Sequence, residues 1–363
     1  MHAHYTHSTD IHILRACSYH DGCDLIAIGG DYGVDILMVG DSQIRVIASF
    51  HIGSRVTALA WSPKSVSPSS STDWILELAV ATIDCGLYIL TRTSLSEEST
   101  FRFGGGLTGH HGKVNDLAFC GGRGENSMRY VGSVSDDKML MIWDLYPDIQ
   151  IQESVPGMRI SRRQPTAYAI QFSHPLISIG SHLSSDKEFL VADCKGNVYI
   201  TDWRSDPENA GGLDFRHSNI LELTEPLAVI SSAGSFGSAV WRPESANIVG
   251  AAYGSRFAIW DIQNLNGGQP SQTGMSFLDG STHFRWCSSS PEYFAITSKR
   301  PNGCATLHMY NLDYLKTQPT TVQLAMKSHI VDTIDFVGSE GPRIAAVVGR
   351  NVVISNVAAE KSS

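Results

Sequence analysis

Charged residues are few in this sequence: Asp, Glu, Lys and Arg make up 17% of 363 residues, against roughly 25% in soluble domains. Basic residues are outnumbered 27 to 36, leaving a formal net charge of −9 with histidine neutral. A phosphate backbone is held by clustered Lys and Arg that release counterions. The densest basic run here is Arg159, Arg162 and Arg163, too sparse for a groove, so direct nucleic-acid binding is not expected. Paired cysteines are missing as well. The seven (Cys17, Cys23, Cys85, Cys120, Cys194, Cys287 and Cys304) are scattered singly, with no Cys-x-x-Cys and no Asn-x-Ser/Thr sequon. That argues against an oxidised, secreted framework and for thiols packed as small hydrophobes in a reducing compartment. No apolar run approaches the ~18 residues of a membrane span, and residues 1–10 are polar and histidine-rich, without a leader pattern. Membrane insertion is not expected.

What is present is 42% hydrophobic residues, 9% aromatics and 33 glycines. That composition suits many short strands joined by tight turns. A repeat carries the organisation, and its clearest unit spans 107–145. There LTGHHGKVNDLAF leads through a glycine-rich stretch to RYVGSVSDDKMLMIWDL. Period-two alternation in VNDLAF, RYVGSVS and MLMIWDL reads as three strands, with Gly, Asn and Asp in the turns.

This unit resembles the WD repeat, with Gly-His near its start and Trp-Asp at its end. The resemblance maps His110, Ser135, Asp137 and Trp143 onto that family's hydrogen-bonded structural tetrad. Residues aligned with Trp143 recur as Val39, Leu90, Thr201, Trp260, Tyr310 and Ser355, giving seven units. Thr82 and Asp84 repeat the spacing of Ser135 and Asp137 in the second. The expected fold is all-β: one seven-bladed WD40-type propeller over 1–363, its last blade closed by a strand at about His4–Ser8, with 358–363 a tail. Closure removes strand edges that would template aggregation. The units exceed the usual ~40–45 residues. The excess is assigned to insertions at 63–73, 121–128 and 175–187 after first strands, and at 94–100, 205–219 and 263–273 after third strands. Those connections open on one face, opposite His110 and the Asp137 turn.

Several motifs invite chemistry and are better read as structure. Residues 104–109 satisfy G-x-G-x-x-G, but a dinucleotide site needs that string to open a helix, and no helical period follows. His2, His4 and His7 have no Cys or acidic cluster beside them, so no metal is expected. Asp136 and Asp137 are adjacent on a turn and should point apart. Gly53-Ser54-Arg55 and Gly132-Ser133-Val134 are not nucleophile elbows, although a Ser–His–acid arrangement stays open with 14 histidines. Trp61, Trp241 and Trp286 read as inner-strand core. No catalytic residue and no cofactor is assigned.

Three passages narrow the resemblance: FHIGSRVTALAWSP (50–63), the 107–145 unit, and THFRWCSSSPEYFAITS (282–298). Together they resemble the small WD-repeat nucleoporins of the Y-shaped complex in the outer rings of the nuclear pore, and the length of the 205–219 insertion points to a fungal member. The resemblance implies a non-catalytic scaffold at the nuclear envelope. Its partners would be other nucleoporins, chiefly the large propeller–solenoid subunit of the Y complex. Two alternatives stay open: a WD adaptor of another assembly, such as a ubiquitin-ligase substrate receptor or chromatin reader, and a propeller hydrolase. The first calls for a peptide pocket at the central channel, the second for a titratable cluster there.

Overall fold

The structure, a computed structural model, describes residues 3–41, 43–122, 127–146, 165–204, 220–223, 236–298, 305–325, 331–338 and 341–357. These residues form seven antiparallel four-stranded sheets, the blades of a β-propeller. Blade 3 shows the plan: Val114–Phe119, Tyr130–Ser135, Met139–Asp144 and Thr166–Gln171 pair in chain order from the centre outward. Each first strand packs beside those of the two flanking blades, and that of blade 7 (Thr333–Phe336) lies against that of blade 1 (Ile11–Ala16). The ring is therefore closed. The closing strand is Ala3–Thr6, paired antiparallel with Asn351–Asn356 so that Tyr5 faces Val352.

The alternation in the sequence has an unexpected meaning. Middle strands are buried along most of their length, Leu25–Gly30 throughout and Ile75–Thr82 in all but its first residue. Successive side chains point not to core and solvent but to the blade before and the blade after. Leu76, Leu78 and Val80 pack with blade 1, whereas Ala79 and Ala81 pack with blade 3. Seven such apolar clusters result, one for each interface between neighbouring blades. This is why blades without a Trp-Asp ending still hold: burial between sheets, at ~25 cal/mol per Å², does not depend on the motif.

Six of the seven anchors occupy one ladder place: they face Leu78, Val131, Phe189, Val249, Phe294 and Ile344 of the second strands. Each of these lies one residue before the residue (79, 132, 190, 250, 295 or 345) that faces residue 60, 118, 180, 240, 285 or 335 of the first strand. Blade 1 is the exception. There the equivalent second-strand residue is Ile26, just before Ala27, which faces Arg15. Ile26 faces Leu37, so the anchor is Leu37, and Val39 sits two residues late. The slip preserves side-chain parity, and sequence periodicity is blind to it.

Two insertions are also corrected. Leu176–Gly180 is the first strand of blade 4, so only 181–187 is loop there. Ser96–Gly104 is an outer strand, which leaves 94–95 as a tight hairpin. The 205–219 insertion, the Arg159–Arg163 run, His2, Cys304 and the 358–363 tail lie outside the described residues.

In five blades the turn between second and third strands passes through a left-handed residue, whereas that of blade 1 does without one. Gly196, Gly254 and Gly349 supply it in blades 4, 5 and 7, but Cys85 (φ 61°) and Lys138 (φ 71°) do so in blades 2 and 3. Residues 104–109 end an outer strand and turn through Gly105 and Gly106, both at positive φ, into the His110 loop. No helix follows. Among the described residues no helix is long and apolar enough to cross a membrane.

Candidate functional site

Two polar constructions are buried in this apolar ring. The first lies in blade 3. The Trp143 indole Nε1 donates to Ser133 Oγ at 2.9 Å, Ser133 Oγ lies 2.8 Å from His110 Nε2, and His110 Nδ1 lies 2.9 Å from Asp137 Oδ2. The chain of donors therefore runs from indole to hydroxyl to a neutral imidazole to carboxylate, the tautomer being assigned from the network. Burial depresses the His110 pKa more than Asp137 can restore it. Burial would raise the Asp137 carboxyl, but His110 and the backbone N–H groups of His111 and Met139 hold it low.

The serine is Ser133, not the expected Ser135. Ser133 faces Met141 in the ladder, one diagonal from Trp143. Ser135 lies two residues nearer the turn, beyond indole reach, where its hydroxyl donates to the Gly112 carbonyl and accepts from the Asp137 N–H. Sequence spacing could not separate two serines on the same face of one strand. Ser133→Ala strands an indole N–H and an imidazole nitrogen, at about 1–3 kcal/mol for each buried group left unpaired. It should therefore cost more than Ser135→Ala, and equal losses in paired urea melts would contradict the assignment.

Ser133, His110 and Asp137 match the connectivity of a hydrolytic triad, but not its accessibility. Ser133 is fully buried and His110 is 2% exposed, and the Trp143 indole occupies the side from which a substrate would approach. Asp136 turns away to accept from Asn115 Nδ2 at 2.7 Å. His7 Nε2 sits 3.2 Å from Asp35 in the turn-face wall of blade 1. No group of three or more His, Cys, Asp or Glu side chains able to hold a metal occurs among the described residues.

The second construction lines the central channel, and the sequence did not reveal it. Seven first-strand residues share one register position: Arg15, Ala60, Ala118, Gly180, Val240, Arg285 and Asp335, paired with residues 27, 79, 132, 190, 250, 295 and 345. At this position blades 6, 7 and 1 carry charge and blades 2 to 5 carry small or aliphatic residues. Because Ala60 is short, Arg15 reaches past blade 2 to Asp116 of blade 3, Nη2 to Oδ1 at 2.8 Å. Asp116 also accepts from the N–H groups of Leu117 and Ile179, joining blades 3 and 4. Asp335 accepts from Ala16 N and Phe336 N and has Arg285 Nε at 3.8 Å. Ser178 donates to Ala239 O, and Phe284 N donates to Ser238 Oγ. A belt of polar contacts therefore passes through blades 1, 3, 4, 5, 6 and 7 and back to 1. It is tied to blade 2 by Trp61 Nε1, which donates to Arg15 O at 2.9 Å.

Local backbone geometry makes the belt possible. The first strands of blades 1 to 6 each carry a register shift near their start. Such bulges re-aim side chains and free N–H groups; at Asp116 and Ser178 the residue just past the shift is the polar one. Burial would lower Arg15, but Asp116 and Asp335 outweigh it. Arg285 is pulled down to about 10, by burial first and then by Arg15.

His283 lies in the same wall, with Nε2 2.8 Å from the Asp332 carbonyl. It keeps partial surface but is surrounded by protein, and burial and the Arg285 charge push it down to about 3. The native state thus binds fewer protons than the unfolded chain once pH drops below the ordinary histidine value near 6.5. Stability contributed by a neutral His283 is full above that pH and is lost as pH falls from about 6.5 toward 3. His283→Gln should flatten that acid limb in denaturation midpoints measured across pH; an unchanged limb would place the sensitivity elsewhere.

The channel opens on the face carrying the first-to-second strand loops. A 270 Å³ chamber over the charged floor is walled by Trp61, Trp241 and Trp286. It shares Ser18, Tyr19, Leu183, Ser288 and Phe336 with a 540 Å³ mouth. The three tryptophans are 4–6% exposed, so they are core residues that also form the chamber wall.

Closed four-stranded blades and a Trp-to-Ser-to-His-to-Asp chain define a seven-bladed WD-repeat β-propeller. No protein-family model matches the chain. Among solved structures it is similar to Raptor from Chaetomium thermophilum, at TM-score 0.67 and 11% identity. That match covers 98% of this chain but only 28% of the Raptor chain. It is also similar to the β-propeller domain of Cps50 (Swd1) from Myceliophteria thermophila, at TM-score 0.64 and 13% identity over 96% of this chain and 97% of that one. Two curated relatives are more specific. Nucleoporin Nup37 of Mus musculus is 24% identical over 311 residues, 83% of this chain and 81% of its own. Nucleoporin Nup37 of Homo sapiens is 25% identical over 298 residues, 79% and 77% respectively. The chain is thus similar to two nucleoporins over about four-fifths of its length.

Proposed function

We propose that the chain is a non-catalytic scaffold subunit of the nuclear pore complex, at the nuclear envelope. In this reading it docks as a rigid propeller on the large propeller–solenoid subunit of the Y complex and supports pore assembly and nucleocytoplasmic transport. The observation that carries the reading is similarity to two nucleoporins along about four-fifths of the chain. The structure adds a physical reason for the role. Seven blade interfaces and a polar belt leave the disc few internal degrees of freedom, so little ordering entropy opposes docking. A standard interface of about 1,600 Å² in total fits on one face or edge. The acidic balance of the chain would favour a basic patch on the partner.

Against a hydrolase stands the burial of Ser133; in the channel both carboxylates are held by backbone N–H groups and by Arg15 or Arg285. The adaptor reading retains one favourable feature, the funnel over the channel. A native pulldown of the tagged protein at moderate salt, with stoichiometric partners identified by mass spectrometry, separates the two. Recovery of pore-coat subunits, the large solenoid subunit among them, is the expected result. A ubiquitin-ligase or chromatin assembly in its place would overturn the scaffold reading and leave the propeller intact.

A further inference from the structure

The funnel on the loop face has an uneven floor. Ala60, Ala118, Gly180 and Val240 are small or aliphatic at the shared register position, Arg285 projects from blade 6, and Arg15 reaches from blade 1 past Ala60 to Asp116. The carboxylates there are already engaged: Asp116 and Asp335 each accept from two backbone N–H groups. The guanidiniums are not engaged to the same degree. Arg285 donates Nη1 to the Phe284 carbonyl at 2.9 Å and, more weakly, to Ser238 Oγ at 3.4 Å. It stands 3.8 Å from Asp335 through Nε, which leaves Nη2 for a ligand. Arg15 spends Nη2 on Asp116, and the two side chains keep 17% and 11% of their surface open. A guanidinium has five N–H donors in a planar fork suited to a carboxylate. The two arginines also repel one another, which a bound anion would relieve.

The walls differ in character. Trp61, Trp241 and Trp286 direct their indole N–H groups to the carbonyls of Arg15, Ala246 and Val240. What they offer the chamber is the narrow strip of ring left uncovered (4–6% of each residue), without an unspent donor. An occupant must therefore be apolar where it passes the tryptophans and anionic at its tip. Among the described residues the chamber continues into a wider mouth with which it shares five lining residues, and a chain that enters end on needs only one strand's width. An internal acidic residue would bring chain in from both sides.

We propose that this funnel is a docking site for the C-terminal carboxylate of an extended partner segment whose last side chain is aliphatic or aromatic. The carboxylate meets Arg285 and Arg15, and the last side chain lies against the tryptophan walls. The loop residues Tyr19 and Leu183 flank the entering backbone at the mouth. The site is a property of the funnel and does not depend on which assembly contains the protein.

The test uses the full-length protein, immobilised, and a randomised hexapeptide library synthesised twice, with free and with amidated C termini. The free-acid library should be retained at least tenfold better, with Leu, Ile, Phe or Trp enriched at the last position. Arg285→Met should remove the difference in a protein whose melting curve shows it is folded. Leu183→Glu alters an exposed mouth residue (39%) and should lower retention of the free acids severalfold by repulsion, without touching the belt. Equal retention of the two libraries overturns the proposal, as does enrichment of internal Asp or Glu regardless of the terminus. Undiminished free-acid binding by Leu183→Glu would do so as well, even if Arg285→Met did not fold.

Discussion

Replacing Asp116 by alanine is expected to lower global stability by about 3–5 kcal/mol, the usual cost of removing one partner from a buried, hydrogen-bonded ion pair. Asp116 is 6% exposed and holds three donors from three blades: Arg15 Nη2, Leu117 N and Ile179 N. The substitution leaves a guanidinium and two N–H groups without their acceptor and cuts the belt between blades 1, 3 and 4. Arg15→Met with Asp116→Leu should recover a large part of the loss, because an apolar pair of similar volume restores packing without an unpaired charge. Denaturant unfolding of the single and double variants checks this. If Asp116→Ala stays within about 1 kcal/mol of the parent, the belt is ornamental and the apolar interfaces alone hold the ring.

Deleting residues 1–9 should be nearly as costly, for a different reason. The closing strand contributes four paired residues, Ala3–Thr6, and packs Ala3 and Tyr5 against the cluster shared by blades 7 and 1. At about 1 kcal/mol net per hydrogen bond, with the apolar contact added, the loss is on the order of 3 kcal/mol. The deletion also exposes Asn351–Asn356 as an unpaired edge containing Val352, Val353 and Ile354. An uncovered apolar edge templates strand addition, so the shortened protein should melt earlier and self-associate in light scattering. A monomer with an unchanged melting curve would mean that the ring does not need its closing strand.

Deletion and substitution act at different levels, as does what could be read in advance. The seven blades were legible because each repeats a local pattern. Period-two alternation, turn residues and an anchor at the end of the third strand survive even where Trp-Asp has become Thr201-Asp202 or Ser355-Asn356. The closing strand was legible because seven units in a ring leave one strand to be supplied. Errors arose where a shift of two residues keeps every side chain on its face. Ser135 was chosen over Ser133, and Val39 over Leu37, since parity cannot distinguish them and only the pairing register can. Leu176–Gly180 was missed as a first strand for a related cause. Both it and Thr166–Gln171 before it are short strand patterns, and which of them begins blade 4 is decided by the sheet each joins.

The channel lay beyond sequence altogether. Arg15, Asp116, Arg285 and Asp335 come from four blades and are separated by up to 320 positions. Each is an ordinary charged residue in an ordinary strand. They meet because ring closure brings the first strands to one axis, and because bulges turn selected N–H groups toward it. The sequence by itself determined the repeat and the number of blades. These follow from local propensity and composition, which act over a few residues. The tertiary structure alone decided which serine serves Trp143, which blades carry charge at the shared throat position, and that a funnel opens above it. Those depend on distances between residues that only the closed ring makes neighbours.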